Sequence, residues 1–346
     1  FEDPEATRHL AAFAEAARRI SGAIAPSSSD AGPHLVVRRD SKLALETYRL
    51  VVGEQIAIEC SSVKGLAHAT ATLLQLWGPV QSEIAAARIE DAPAVPYRNF
   101  MIDLGRNPHS LELLLETVDL LWYYKVDSLH LHLTDDQRFA FPSTAFPKLC
   151  RGEGQLSLDD FRRLERYARA RGVTLIPELE APGHSTLLRR HYPEVFGKNT
   201  TDTAKLESAW AGLRTLLDEM MDVFSSPYVH IGGDEAYGVP QDLQRDLVNH
   251  LAGHVIARGR KAMVWEGPAL GTGDNKVRSD VIQINWRTVD FPADQMVEAG
   301  YRVVNAAWDP LYVVDHYPRN NFTMASPAHI YTTLQRFRFR HFNPGM

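Results

Sequence analysis

The stretch YVHIGGDE (228–235) holds a short apolar strand, two glycines and two adjacent carboxylates. Glycines at a strand end let the backbone turn sharply where a side chain would block an approaching substrate. Asp234 and Glu235 then emerge together at the rim. In a pair this close, mutual repulsion raises at least one pKa, which suits one carboxyl to acid work while the other stays anionic. A second reading makes Asp234 the cap of the following helix, with Glu235 in its first turn.

The same layout recurs outward from this stretch. Strands are expected at 99–104, 128–133, 174–179, 228–232, 262–267, 281–286 and 302–308, with amphipathic helices between them, such as 111–125 and 158–171. Ser157, with Asp160 three residues on, forms a capping box for the second of these helices. Gly172, Gly259 and Gly300 stand where helices stop before a strand, the place of a left-handed C-terminal cap. The spacing is roughly 30 residues per unit, the size of a βα repeat. A doubly wound sheet and a barrel both fit it.

The strand ends decide between them. They carry Asp103 and Arg106, His132 with Asp135 and Asp136, Glu178 and Glu180, Asp234 and Glu235, Trp265 and Glu266, Trp286, and Trp308 with Asp309. Groups converging from every strand end, with no Gly-rich dinucleotide loop after the first strand, are what a barrel assembles at its catalytic face. A doubly wound sheet concentrates its chemistry at the switch-point crevice. The expected fold is therefore α/β, a (β/α)8 TIM-type barrel over 97–346 whose eighth strand is not evident in the sequence.

Residues 1–96 have another texture. An Ala-rich helix at 5–20, a Pro/Ser loop at 26–33, a strand at 34–38, a hairpin of 48–52 and 56–60 around Gly53, and a helix at 64–77 make a small, mostly antiparallel α+β domain. The whole chain of 346 residues has 45% hydrophobic and 23% charged residues, as soluble globular proteins do. Its 37 Lys and Arg against 43 Asp and Glu provide no basic excess, so nucleic acid is not an expected partner. No apolar run reaches the roughly 20 residues of a membrane span. Cys60 and Cys150 are expected to be free, buried thiols. A chain starting at Phe1 fits a secretion signal already removed, so a secreted or periplasmic location is expected; Asn199 and Asn321 head sequons that matter only in a eukaryotic secretory source.

Strict alternation in LHLHLTDDQ (129–137) puts His130 and His132 on one face of a strand. With His184 and His230 they could make a zinc set, but the strands at 262–267 and 281–286 supply no histidine. Buried, hydrogen-bonded histidines are the favoured reading, and no metal or cofactor is expected. His184 sits in the Pro-Gly turn of PELEAPGHS (177–185), which can hold it over a site. The donor fork of Arg106 suits vicinal hydroxyls or a carboxylate, or else pairs with Asp103. Trp265, Trp286 and Trp308 at strand ends suit the apolar faces of sugar rings, whereas Trp77, Trp122 and Trp210 fall on helices and should pack.

Six motifs in order, IDLGR (102–106), LHLTDDQ (131–137), IPELEAPGHS (176–185), YVHIGGDE (228–235), MVWEG (263–267) and IQINWR (282–287), resemble the signature of glycoside hydrolase family 20. These are the β-N-acetylhexosaminidases and related exo-acting enzymes, and the preceding YRLVV…IAIECSSVKGLAHATATLLQL (48–76) resembles the small α+β domain that comes before their barrel. The resemblance implies substrate-assisted retaining hydrolysis, in which the sugar's 2-acetamido oxygen attacks the anomeric carbon to give an oxazolinium intermediate. It implies Glu235 as general acid and base, and Asp234 as the group that holds the acetamido N–H. It also implies Arg106 on the sugar hydroxyls, Asp135 and His184 as a supporting network, Trp265 and Trp286 as pocket walls, and Tyr312 as a donor to the acetamido oxygen. Trp308 is a candidate replacement for a missing aromatic wall. The family's eighth strand supplies a tryptophan and a glutamate that 331–346 lacks, and Val314 stands where the family often has Asp or Asn. A truncated chain or another barrel closure is expected. The expected partner is a glycan with a terminal GlcNAc or GalNAc. Release of a disaccharide such as lacto-N-biose, glycan binding without catalysis, and an ordinary retaining pair of Glu235 with Asp309 are the alternatives.

Overall fold

A computed structural model of the chain describes residues 3–21, 35–77, 84–199, 205–268, 270–273, 275–287, 292–313, 327, 328 and 330. The loop at 26–33, Val314, Asn321, 331–346 and the side chain of Asp309 lie outside the described residues.

The first part of the chain runs α1 (Pro4–Ser21), β1 (Leu35–Arg39), β2 (Tyr48–Val52), β3 (Ile56–Cys60), α2 (Val63–Trp77) and β4 (Ala87–Asp91). Its four strands lie in the order β1-β3-β2-β4, with β1 parallel to β3 and the other pairs antiparallel. Tyr48, Leu50 and Val52 alternate inward on β2 and meet Leu66, Ala69 and Leu73 of α2. The edge strand β4 is not among the expected elements, because ARIED carries a single large apolar residue, Ile89. It is held by its ladder to β2 and by Asp91, which accepts from Tyr48 Oη at 3.0 Å and Lys125 Nζ at 2.8 Å.

The rest of the chain runs β5 (Asn99–Asp103), α3 (Leu111–Tyr123), β6 (Ser128–His132), α4 (Leu158–Arg169), β7 (Thr174–Glu178), α5 (Thr186–His191), α6 (Pro193–Phe196), α7 (Leu206–Val223), β8 (Tyr228–His230), α8 (Gln241–Ala257), β9 (Lys261–Trp265), the small hairpin β10 (Gly271–Thr272) and β11 (Asn275–Lys276), β12 (Ile282–Asn285), α9 (Ala293–Glu298), β13 (Val303–Asn305) and α10 (Trp308–Leu311). Among the described residues, all seven expected strands form one parallel sheet, β13-β12-β9-β8-β7-β6-β5. All seven end one to three residues before their expected limits. β8 stops at His230, where the glycines leave the ladder, and Trp308 opens a helix instead of closing β13.

The sheet curls on itself as a TIM-type barrel requires. His130 of β6 and Trp265 of β9 stand three strands apart, about 14 Å along a flat sheet, yet their rings stack at 5.7 Å across the interior. Leu129, Leu131, Leu175, Val229, Ala262 and Val264 point the other way, into the helical layer. There Phe161 of α4 meets Phe141 and Phe224 at 6.0 and 5.8 Å between ring centres, contacts worth about 1 kcal/mol each beyond their buried area. The Ser157 capping box opens α4, which stabilises such a helix by about 1 kcal/mol. Trp122 is buried and donates to the Ala67 carbonyl at 2.9 Å, and Trp77 and Trp210 pack against the same core. Both cysteines are free, Cys60 buried and Cys150 partly so. No helix among the described residues is long and apolar enough to cross a membrane.

Candidate active site

The turn after β8 is built around two glycines with positive φ, Gly232 at 73° and Gly233 at 110°. A Cβ on Gly232 would run into the Glu180 carboxyl, so bulk is excluded there as well as strain. The turn delivers Asp234 and Glu235 to the mouth, with Glu235 itself at φ 47°. The loop after β7 presses against it: Gly183 lies on the Asp234 carbonyl with no space for a Cβ. Ser185 Oγ donates to the Pro182 carbonyl at 2.6 Å, and the Thr186 amide donates to Asp136 at 2.9 Å. Held between these bonds at φ 44°, His184 faces the carboxylates. Its Nε2 is 3.3 Å from Glu235 Oε2 and 3.8 Å from Asp234 Oδ2, and its Nδ1 is 3.4 Å from Asp135 Oδ1. Left-handed backbone at two non-glycine positions costs of order 1 kcal/mol each and is typical of sites that the surrounding fold over-determines.

Strand register makes the floor. Asp103, His132, Glu178, His230 and Met263 are partners across successive strands, so their side chains form one row at the C-terminal level of the barrel. Glu178 is the hub. Its carboxyl receives His132 Nδ1 at 2.6 Å and the Trp265 indole N–H, with His230 Nδ1 at 3.0 Å and His130 Nε2 at 3.1 Å. Burial alone would raise its pKa; the facing imidazoles, His132 first, outweigh that and hold it well below the usual carboxylate range. His132 answers the other way. Burial opposes its charge, but Glu178 and Asp135 push its pKa up to about 10. His230, dominated by burial, falls to about 4 and is neutral. Glu180 is driven well above its ordinary value by burial and by the charges of Asp234 and Glu178.

Asp135 ties the floor to the rim. Its Oδ2 accepts from Arg106 Nη2 at 2.7 Å and lies 3.0 Å from His132 Nε2, and its Oδ1 accepts from the Asp136 amide at 2.6 Å. These partners and His184 overcome burial and hold Asp135 well below the usual range. The Arg106–Asp103 ion pair is also present at 2.7 Å, and the guanidinium remains 42% exposed. It is thus braced by two carboxylates while its open side faces the mouth. The pKa of Asp234 rises to about 6; burial is the main cause, ahead of the charges of Glu178 and Glu235.

The aromatic residues divide by depth. Trp265 is only 6% exposed and lies in the floor against His130 and His230. Trp286, Trp308 and Tyr312 cluster higher up. Trp286 lies nearly parallel to Tyr312, 11° at 6.4 Å, and edge-on to Trp308 at 6.0 Å. Glu266 fixes this wall by accepting from Asn285 Nδ2 at 2.6 Å and from the Trp286 and Arg287 amides at 3.1 Å. Burial, then the charges of Asp234 and Glu178, push the Tyr312 phenol far up and keep it a neutral donor.

The family model for the glycosyl hydrolase family 20 catalytic domain matches residues 95–240, and the model for domain 2 of the same family matches residues 2–92. The chain belongs to glycosyl hydrolase family 20. The β-hexosaminidase of Vibrio furnissii is 29% identical over 310 residues, covering 73% of this chain and 50% of that protein. An exo-β-N-acetylglucosaminidase of Vibrio harveyi, solved in complex with N-acetylglucosamine, is 26% identical with a TM-score of 0.75, covering 88% of this chain and 56% of that one. The β-N-acetylhexosaminidase of Bacteroides fragilis shares the fold with a TM-score of 0.84 at 22% identity, covering 99% of this chain and 78% of that one. The chain spans about half the length of the curated relatives it matches.

The family 20 motifs thus bring Arg106, Asp135, His184, Asp234 and Glu235 into one connected array, with Trp286, Trp308 and Tyr312 along one side. The four histidines do not gather at one point. Among the described residues His130, His132 and His230 all face Glu178, whereas His184 is grouped with Asp135 and Asp136 or with Asp234 and Glu235. Three further contributors carry little signal of their own in the sequence: Glu178 is one of several strand-end acids, Arg287 is the last letter of IQINWR, and Tyr237 lies outside the six motifs. Arg287 Nη2 donates to Glu235 Oε1 and to Tyr237 Oη, both at 2.9 Å.

Proposed function

We propose that the chain is an exo-acting, retaining β-N-acetylhexosaminidase that removes terminal β-linked GlcNAc or GalNAc by substrate-assisted catalysis. The observation that carries this reading is that Asp234 and Glu235 rise from a single turn, with oxygens that lie within 4.8 Å of each other and of His184 Nε2. Carboxylates that flank a sugar on opposite faces come from opposite sides of a pocket. Two that rise from one edge fit a reaction in which the substrate brings its own nucleophile.

In the first step Glu235 gives its proton to the glycosidic oxygen as the bond to the anomeric carbon breaks, and the alcohol leaves neutral. The acetamido oxygen bonds to that carbon, and the resulting oxazolinium carries the positive charge. Asp234, as an anion, accepts the acetamido N–H and stabilises that charge, while Tyr312 donates to the acetamido oxygen. Water then attacks the anomeric carbon, returns a proton to Glu235 and reopens the ring with the β configuration kept. Arg106 binds the outer hydroxyls through the exposed side of its fork, Trp286 and Trp308 line the pocket, and Trp265 supports it from below. His184, backed by Asp135, sets the orientation of both carboxylates.

Replacing Glu235 by Gln tests this reading. Hydrolysis of an aryl N-acetyl-β-glucosaminide is expected to fall by about 10²–10⁴ in kcat/KM, and an analogue lacking the 2-acetamido group is expected to be a poor substrate for the unmodified chain. Retained activity in the variant, equal rates on the analogue, a trapped covalent glycosyl-enzyme on Asp309, or release of a disaccharide alone would each replace the reading.

A further inference from the structure

The two oxygens of the Glu235 carboxyl have different neighbours. Oε2 faces inward to His184 Nε2 at 3.3 Å. Oε1 faces the rim, where Arg287 Nη2 donates at 2.9 Å and Tyr237 Oη donates at 3.1 Å, while the same Nη2 also donates to Tyr237 Oη at 2.9 Å. Arg287 is fixed independently of this triangle: its amide donates to Glu266 Oε2 at 3.1 Å, and its guanidinium lies 4.6 Å from the centre of the Trp286 ring. Tyr237 is anchored through its amide, which donates to the Glu235 carbonyl at 2.7 Å, and its side chain is 74% exposed.

We propose that Arg287, with Tyr237, is the positioning clamp of the general acid. The pair holds the Glu235 carboxyl in one rotation, and it places a cation beside the oxygen that gains negative charge as the proton leaves. This rests on the reading of Glu235 as the acid. Glu235 sits on left-handed backbone at the end of a turn, so its side chain needs outside contacts to stay aligned. A proton donor acts only within hydrogen-bond reach of the atom it protonates, and a fixed dipole or charge helps most where charge develops. Arg287 does not touch the sugar in this scheme. It follows β12, 52 residues along the chain from the acid after β8, so the clamp joins the two barrel strands on either side of β9.

Such a role depends on the leaving group, which a structural role does not. An alcohol with a high pKa leaves only if it is protonated, whereas 2,4-dinitrophenolate leaves unaided. The value of kcat/KM reports every step up to leaving-group departure, so it isolates the acid function from the later base function. Arg287→Ala is expected to lose about 30-fold or more on chitobiose but only about threefold on the 2,4-dinitrophenyl glycoside. Arg287→Lys should recover part of the loss on chitobiose. Tyr237→Phe, which removes an exposed hydroxyl and cannot disturb the core, should show the same dependence at smaller size. Equal losses on both substrates, or no loss on chitobiose, would overturn the clamp. Failure of the unmodified chain on both substrates would overturn the activity reading itself, a separate outcome.

Discussion

The charge on His132 gives a stability prediction that can be worked from the structure. The imidazole is wholly enclosed, 2.6 Å from Glu178 and 3.0 Å from Asp135, and its pKa is raised from 6.5 to about 10. In the unfolded chain it titrates near 6.5, so between pH 6.5 and 10 the folded chain binds more protons. The stabilisation is complete below pH 6.5 and is lost as pH rises through about 10. The rise corresponds to about 5 kcal/mol. His132→Gln removes the charge and leaves Glu178 and Asp135 without their shared cation, which is expected to cost about 3–5 kcal/mol at pH 6. At pH 10 the difference between the two chains should shrink to about 1 kcal/mol, because the imidazole is then half neutral and still losing its charge. Urea unfolding followed by tryptophan fluorescence at pH 6, 8 and 10 measures this directly. Cys60 and Cys150, both pushed up to about 11 by burial, also cost stability above pH 9, but they do so in both chains and cancel in the comparison. A gap between the chains that stays constant from pH 6 to 10 would show that His132 is not charged in the folded state.

The raised pKa of Asp234 sets an acid limb. Its anion is required in the proposed reaction, so kcat/KM should fall about tenfold per unit as pH drops below about 6, and Asp234→Asn should lower the rate while abolishing that limb. An acid limb near pH 4 in the unmodified chain would contradict this account of burial. Gly183→Ala places a Cβ on the Asp234 carbonyl and 3.2 Å from the Glu235 carbonyl carbon. The loops must separate, and a loss of about 10–100-fold in kcat/KM with a lower Tm is expected; full activity at an unchanged Tm would show that they do not touch.

Much of this architecture can be read from local pattern. The hairpin β2/β3 has the limits its alternation predicts, and Ser157 with Asp160 caps α4 as the spacing requires. The seven parallel strands follow from apolar runs that end in polar groups. What cannot be read is anything that depends on register or closure. Asp103, His132, Glu178 and His230 become one row only when four strands pair in a particular alignment, and no single strand reveals it. Trp265 and Trp286 look equivalent as strand-end tryptophans, yet one is in the floor and one in the wall, because Trp265 still belongs to the β9 ladder and Trp286 follows the end of β12. Arg287 meets Glu235 only through the curl of the sheet.

Helix α2 has a wider consequence. One of its faces, Leu66, Ala69 and Leu73, completes the small sheet, and another, Ala67, Ala71 and Leu74, belongs to the core beneath the helices of the barrel. His9 of α1 reinforces this by bonding Thr70 on α2 at 2.7 Å and the carbonyl of Ala170 at the end of α4 at 2.8 Å. A helix committed to two interiors cannot melt from one while the other stays intact. The small sheet and the barrel are therefore a single cooperative unit, and the sheet acts as a permanent outer wall of the barrel rather than a detachable module. Exchange of this part between relatives has to carry α2 and its partners on α3 and α4 together.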